Sequence, residues 1–484
     1  MKNSSKIITS LCILLLASCQ PQARFFEDAI CIQNISTVDP NNGLEENQTV
    51  VIKDGKIYKI ADTATLLLSG ENNIIDGTGK YLIPGLWDAH VHFAYIEELA
   101  PLMFDMFLSN GITSVRDTGG KVDFVKDWKD NAIARRTAAP RVMMAGPLLD
   151  GEPNVYDGSD ASHPELSVGL GSVDDVTNQV NRLVGKDVDL LKAYEMLTPE
   201  QFRKVNELAK ANGLKVTGHV PLSMDVISAA NAGLNSMEHL RNLELSCVAN
   251  SDELLAERQK MLAEGSNMAG GELRTSIHRA QRENALKNYD ETKADEVLQV
   301  LKDRDVWQVP TLALNTFLSN KYFADPEYQK SYSQLPDSIA QHWKNRSIIL
   351  KDYPMSEAFQ AQVDFNLKMV KKVYEKGIPL MAGTDTPIAY LTPGLSLHIE
   401  LEALVDAGIP PLEVLKAATY NPAKYFNMQH ELGSIKENMY ADLVILNANP
   451  LDDIQNTKLI ATVIKEGQVY VSEDMKADLK IFRD

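Results

Sequence analysis

Six side chains of this chain have types and spacings that can act together: His90, His92, Lys192, His219, His239 and Asp385. The nucleus is His90-Val91-His92, which follows a short apolar run and turn, Tyr81-Leu82-Ile83-Pro84-Gly85-Leu86-Trp87-Asp88-Ala89. Alternate residues of a β-strand face the same side, so imidazoles at i and i+2 can point at one metal ion. A His-x-His pair alone is a weak signal, and one histidine at a strand end is more often a hydrogen-bonded core residue than a ligand. Imidazole and carboxylate suit Zn²⁺ and related ions. An ammonium has no lone pair to give, so Lys192 taken alone reads as a salt-bridged or snorkelling side chain. A neutral lysine amine that adds CO₂ becomes a carbamate, an anion with two oxygens able to bridge two cations. Asp385 alone could merely cap a loop or helix. The recurrence of such residues at successive expected strand ends favours one two-metal site over independent coincidences.

The elements that must position these residues alternate along the middle of the chain. Eight strands are predicted, over 86–93, 113–117, 141–146, 189–193, 215–220, 236–240, 307–312 and 380–384. Helical patterns separate most of them. One helix is predicted over 199–212, with Thr198 as N-cap and Gly213 as the C′ residue; two late ones fall at 410–419 and 421–426. Repeated strand–helix units predict an α/β fold, a (β/α)8 TIM-type barrel over 85–429. Its active site would lie at the C-terminal strand ends, where the six residues fall. A charged helical insertion at about 245–305, broken at Gly265 to Gly271, reads as a solvated surface element or a lid over the barrel mouth. Both ends of the chain read as β-structure, with Asp54-Gly55 and Asp76-Gly77 as hairpin signals. Segments 19–84 and 430–484 are therefore expected to build one small β-sandwich domain.

Length allows a large core. The 44% hydrophobic and 24% charged content is ordinary for a globular protein, and a net charge of −18 argues against a nucleic-acid partner. Residues 1–18 read as a signal peptide: Lys2 and Lys6 precede an apolar stretch too short to span a bilayer comfortably. Leu16-Ala17-Ser18-Cys19 resembles a bacterial lipobox, which implies lipidation at Cys19 and a membrane-anchored lipoprotein of the cell envelope. Gln20 after the cysteine, by the same resemblance, points to the outer membrane. Cys31 and Cys247 are expected to be free or buried thiols.

Taken together, several stretches resemble the amidohydrolase superfamily. They are Ile83-Pro84-Gly85-Leu86-Trp87-Asp88-Ala89-His90-Val91-His92, Gly111 to Asp117, Val216-Thr217-Gly218-His219-Val220, Met237-Glu238-His239, Ala382-Gly383-Thr384-Asp385, His398 to Leu401, Ala417 to Ala423, Leu432 to Ile435 and Ala441 to Val444. Within it, the chain is most similar to the imidazolonepropionase-related branch that contains Xaa-Pro dipeptidases. That resemblance implies two divalent metal ions, zinc by preference, with Lys192 N6-carboxylated between them. His90, His92 and Asp385 would bind the more buried ion, and His219 and His239 the more exposed one. Lys192 argues against the deaminases and imidazolonepropionases, which use one metal.

The implied activity is hydrolysis of C–N bonds, as a dipeptidase or amidase on small peptides or N-acyl amino acids. Asp385 would take the nucleophile's proton and deliver it to the leaving amine, and Tyr194 would donate to the tetrahedral oxyanion. His163 and His398 are further candidates for contact with substrate, and Arg116 is expected to pair with Asp117. A lactonase or esterase is the alternative enzyme, since the same nucleophile attacks esters; a non-catalytic surface binding protein is the alternative outside catalysis.

Overall fold

The computed structural model describes residues 23–159, 163–471 and 474; the segment read above as a signal peptide and Cys19 lie outside the described residues. Strands β1 (Ala29–Asp39), β2 (Gly43–Lys53), β3 (Lys56–Asp62), β4 (Asn73–Asp76) and β5 (Tyr81–Pro84) come first. Then follow β6 (Leu86–Val91), β7 (Ile112–Asp117), β8 (Arg141–Met144), β9 (Leu148–Gly151), β10 (Ser167–Leu170), β11 (Leu190–Ala193), β12 (Lys215–Gly218), β13 (Ser236–Glu238) and β14 (Trp307–Val309). Strands β15 (Leu443–Leu446), β16 (Ile460–Lys465) and β17 (Gln468–Val471) come last.

Both chain ends do meet in one β-structure, with the order β17-β16-β15-β5-β1-β2-β3. In hydrogen-bonding terms it is one connected eight-stranded sheet, with Ile35, Val50 and Leu82 sharing a core with Leu443, Ile445 and Ile464. The connection comes from the length of β1: it pairs with β4 over Ile30 to Gln33 and then with β5 at Ser36 and Thr37, so one strand serves both parts. Asp54-Gly55 makes the expected tight hairpin, with φ of 52° and 75°. Glu466-Gly467 makes another, at 47° and 83°, and the two turns pack so closely that a Cβ on Gly467 would sit 3.1 Å from Gly55 Cα. Asp76-Gly77 is not a hairpin, because β4 runs parallel to β1.

The middle of the chain forms two parallel sheets, β6-β7-β8 and β10-β9-β11-β12-β13-β14. Every residue of β6 and β7 is buried, as expected of parallel strands covered on both faces. Backbone hydrogen bonds join the two sheets at both ends. Asp189 N donates to Met144 O at 2.9 Å. On the other side, residues 380–386 lie between β14 and β6: Met381 N donates to Gln308 O, Ala89 N to Ala382 O and His92 N to Thr386 O, at 2.9 to 3.0 Å. The eighth predicted strand is thus a bridging segment without a regular ladder; Asp385, at φ 69°, turns the chain out of strand geometry. Strands five and six also end earlier than predicted, because Gly218 (φ 154°), His239 (59°) and Leu240 (51°) leave the β region. The seventh ends at Val309, before Pro310.

Thr198 caps the helix Pro199–Ala211 in a capping box with Gln201, and Gly213 follows at φ 70°. The charged insertion is helical as predicted, with helices Ser251–Glu264, Gly270–Lys287 and Glu291–Asp303. Cys31 and Cys247 are buried free thiols. Among the described residues no helix is long and apolar enough to cross a membrane.

The expected Arg116–Asp117 pair does not form, because neighbours on a strand face opposite sides. Arg116 is fully buried and binds Glu238 through Nη2 at 2.9 and 3.0 Å, Ala89 O at 2.5 Å and Ser236 Oγ at 3.1 Å. Asp117 instead accepts from the backbone of Phe93 and Gly119. Removing one partner of a buried pair strands the other charge. Arg116→Met should therefore cost about 3–5 kcal/mol in urea unfolding, whereas a loss below about 1 kcal/mol would mean that Glu238 is neutralised by other means.

Candidate metal centre

All six predicted residues line one cavity. His90 and His92 project from the end of β6, Lys192 from β11, His219 and His239 from just beyond β12 and β13, and Asp385 from the segment after β14. The cavity measures about 180 Å³. Departure from strand geometry at His239 and Asp385 is what lets their side chains turn inward at the rim.

The imidazoles are fixed from behind. His90 Nδ1 lies 2.6 Å from Glu238 Oε2, His92 Nδ1 2.8 Å from Gly119 O, His219 Nδ1 2.8 Å from Glu195 Oε1 and His239 Nδ1 2.6 Å from Thr311 Oγ1. A carboxylate or carbonyl can only accept, so Nδ1 of His90, His92 and His219 carries a proton, and in the neutral ring Nε2 keeps its lone pair. Such outer acceptors set tautomer and ring orientation in metal sites. Burial pushes the imidazoles of His219 and His239 well below the usual histidine range, which keeps them neutral. Burial opposes ionisation of Glu238, but Arg116, Lys192 and His90 outweigh it and hold the carboxyl well below its ordinary value. Glu195 is held low in the same way by His278, Arg241 and His219.

Inside the cavity, Nε2 of His92 and of His90 approach Asp385 Oδ1 to 3.0 and 3.2 Å, and Nε2 of His239 approaches Oδ2 to 3.8 Å. Oδ1 has no hydrogen-bond partner. Imidazole lone pairs this close to a carboxylate lone pair repel unless a cation lies between them, and His90, His92 and Asp385 present ligand atoms within 4.8 Å of one another. Lys192 is buried with an unpartnered Nζ, and burial draws its amine down to about 8. The donor set fits divalent cations.

Tyr194 also lines the cavity. Its ring lies 4.3 Å from that of His219, and its hydroxyl accepts from Arg274 Nη1 at 3.0 Å. The other two candidates are elsewhere. His163 is half-buried behind Tyr156, ring to ring at 5.8 Å, and does not line the cavity. His398 is buried between Thr457 Oγ1 at 2.9 Å and Asn110 O at 3.1 Å, tying its helix to the body of the protein. The ring of His398 is turned toward the scaffold through both nitrogens, and His163 lies beside the cavity lining rather than in it. The residues not foreseen are Glu195 and Glu238, which orient ligands, and Arg241, Arg274 and Tyr156, which line the cavity. Glu238 directly precedes His239 and Glu195 stands three residues after Lys192, but spacing alone does not separate these carboxylates from solvated ones. Arg274 belongs to the insertion helix Gly270–Lys287, far from the rim in sequence.

Residues 81–470 match the family model described as the amidohydrolase family. An ochratoxinase of Aspergillus niger is 23% identical over 448 residues, covering 80% of this chain and 75% of that protein. A solved Xaa-Pro dipeptidase with bound methionine in its active site gives a TM-score of 0.66 at 19% identity, covering 92% of this chain and 100% of that one. A bottromycin amidohydrolase gives 0.67 at 19% identity, covering 94% and 90%. At these identities the structural likeness establishes the shared fold.

Glu195→Gln keeps an acceptor for His219 and removes the charge. It should weaken zinc affinity about 10–100-fold in competition with a chelator; an unchanged affinity would remove Glu195 from the support of this site.

Proposed function

For a chain that belongs to the amidohydrolase family, we propose a metal-dependent hydrolase of amide bonds, acting as a dipeptidase or amidase on small peptides or N-acyl amino acids. In this reading the parallel strands and the bridging segment 380–386 make a (β/α)8 barrel whose C-terminal rim carries the chemistry. The observation that carries it is the orientation of the imidazoles: Nδ1 is engaged outward, while Nε2 of His90, His92 and His239 converges on Asp385.

His90, His92 and Asp385 would hold one divalent ion, zinc by preference, and His219 and His239 a second. Lys192 would bridge them as a carbamate: its neutral amine adds CO₂ and releases a proton, and its lowered pKa makes the neutral form accessible. When bound, two such cations acidify water toward hydroxide and polarise a carbonyl. The remaining steps belong to the chain. Asp385 stands where it can accept the proton of the attacking water and pass it to the leaving amine. The Tyr194 hydroxyl already accepts from Arg274, so its own proton is free to be donated to a tetrahedral oxyanion. Leu148, Leu166, Leu314 and Ile388 complete an apolar wall that limits access of bulk water. The names of the similar proteins support amide hydrolysis: the dipeptidase and the bottromycin amidohydrolase both cleave C–N bonds. We further read Cys19 as a lipid attachment site that tethers the enzyme to the bacterial envelope, at the outer membrane.

Screening zinc-loaded protein against dipeptides, N-acyl amino acids and the corresponding esters tests the reading, and turnover of esters alone would overturn it. Lys192→Ala should abolish hydrolysis and lower metal content with the fold retained by circular dichroism; full activity would sink the carbamate. Asp385→Asn should depress kcat by about 10²–10⁴-fold and KM much less, and the opposite pattern would count against its role in proton transfer.

A further inference from the structure

The acid–base balance of the cavity is uneven. Apart from the six predicted residues, its charged lining is Arg241, two residues beyond His239, and Arg274, from the insertion helix Gly270–Lys287. Asp385 is the one acid that lines it among the described residues, and the ligand geometry already engages that carboxylate. The nearest acid to the two guanidinium groups is Glu195, behind the wall, at 3.7 Å from Arg241 Nε and 3.8 Å from Arg274 Nη1. Both distances exceed a hydrogen bond. Oε1 of Glu195 is taken at closer range by His219 Nδ1 at 2.8 Å, and His278 Nε2 stands 2.9 Å from Oε2 without hydrogen-bond geometry. Arg241 Nε is buried without an acceptor. Arg274 spends one donor on the Tyr194 hydroxyl. Two planar donor forks therefore share one distant and occupied carboxylate, at the edge of a small cavity, in a protein whose net charge is −18.

Arg274 is also held in place. Arg274, His278 and Arg282 recur at i, i+4 and i+8 along one helix, so they share a face. His278 meets Glu195 and Arg282 Nε meets Glu244 Oε1 at 2.7 Å. The lower two residues dock the helix on the barrel, and the first is left to face the cavity.

We infer that Arg241 and Arg274 form an anion subsite that receives the free carboxylate of the substrate on its leaving-amine side, so that the enzyme releases a C-terminal amino acid and discriminates against amidated or extended chains. A guanidinium fork matches a carboxylate in bidentate geometry. In a buried cavity such a pair left unfilled rejects a neutral analogue, because its donors then stay unpaired. The insertion thereby acts as a specificity element: it brings the second cation to a rim whose ligands the barrel supplies. This inference rests on reading the cavity as the substrate site.

The test is calorimetric binding of N-acetyl-L-leucine and of N-acetyl-L-leucinamide to zinc-loaded protein, with hydrolysis of both followed separately. The acid should bind at least about 10-fold more tightly than the amide. Arg274→Met and Arg241→Gln should each erode that ratio, and Arg274→Lys should restore part of it. Equal binding of the two compounds, binding of neither, or an acid preference retained in both arginine variants would overturn the subsite; the last would place the carboxylate on the metal ligands. Acid preference that depends on the arginines without any turnover would instead overturn the hydrolase reading and leave the subsite standing. Unfolding midpoints of the variants control for loss of structure, and the two positions lie on different elements, so failure of one variant to fold leaves the other to decide.

Discussion

The buried contact between Arg116 and Glu238 is the constraint on which the centre depends. An isolated carboxylate in a protein interior is costly and tends to neutralise. Here a guanidinium at 2.9 Å, with Ser236 at 3.1 Å and the Thr217 hydroxyl, keeps Glu238 ionised. Only an ionised carboxylate can hold the Nδ1 proton of His90 firmly and leave Nε2 bare. Arg116 comes from β7, Glu238 from β13 and His90 from β6, so two successive strands and one distant in sequence are locked around one proton.

A similar device stands across the cavity. Glu195 holds His219 through Nδ1 and is itself held by His278 from the insertion. The two sides differ in what supplies the counter-charge. On the Glu238 side it is strand β7, and on the Glu195 side it comes partly from helix Gly270–Lys287 and partly from Arg241. Ligand orientation and cavity lining are therefore coupled through one carboxylate, and the insertion is packed structure, with Leu273, Ile277 and Ala285 buried. Its other face is solvated, with only Ser251, Leu254 and Arg258 buried in helix Ser251–Glu264.

Legibility followed the range of the interaction. His90-Val91-His92 could be read because strand alternation is local, Lys192 and Asp385 because each follows a short apolar run, and His219 and His239 because each lies near the end of a predicted strand. The capping box at Thr198 and the hairpin at Asp54-Gly55 were legible for the same reason. Asp76-Gly77 misled because a turn dipeptide says nothing about which strand its neighbour will join. His398 misled because a histidine at a helix start reads the same whether its ring turns to a cavity or to Thr457. Arg116 was assigned the wrong partner because its acceptor, Glu238, lies across the interior.

The amino-acid sequence by itself determined the identities of the six rim residues, the strand–helix alternation that carries them, and the β-character of both ends. Those properties depend on periodicity, apolar runs and side-chain chemistry, which are local. Tertiary structure alone decided that the terminal strands join as one connected sheet, that 380–386 bridges without a ladder, and that Nδ1 faces outward at each histidine. It also decided that Arg274 reaches a cavity built by other elements. Hydrogen-bond partners and counter-charges are selected by proximity in space, and low dielectric makes that selection stringent, so residues of ordinary appearance acquire their roles only when the chain closes around them.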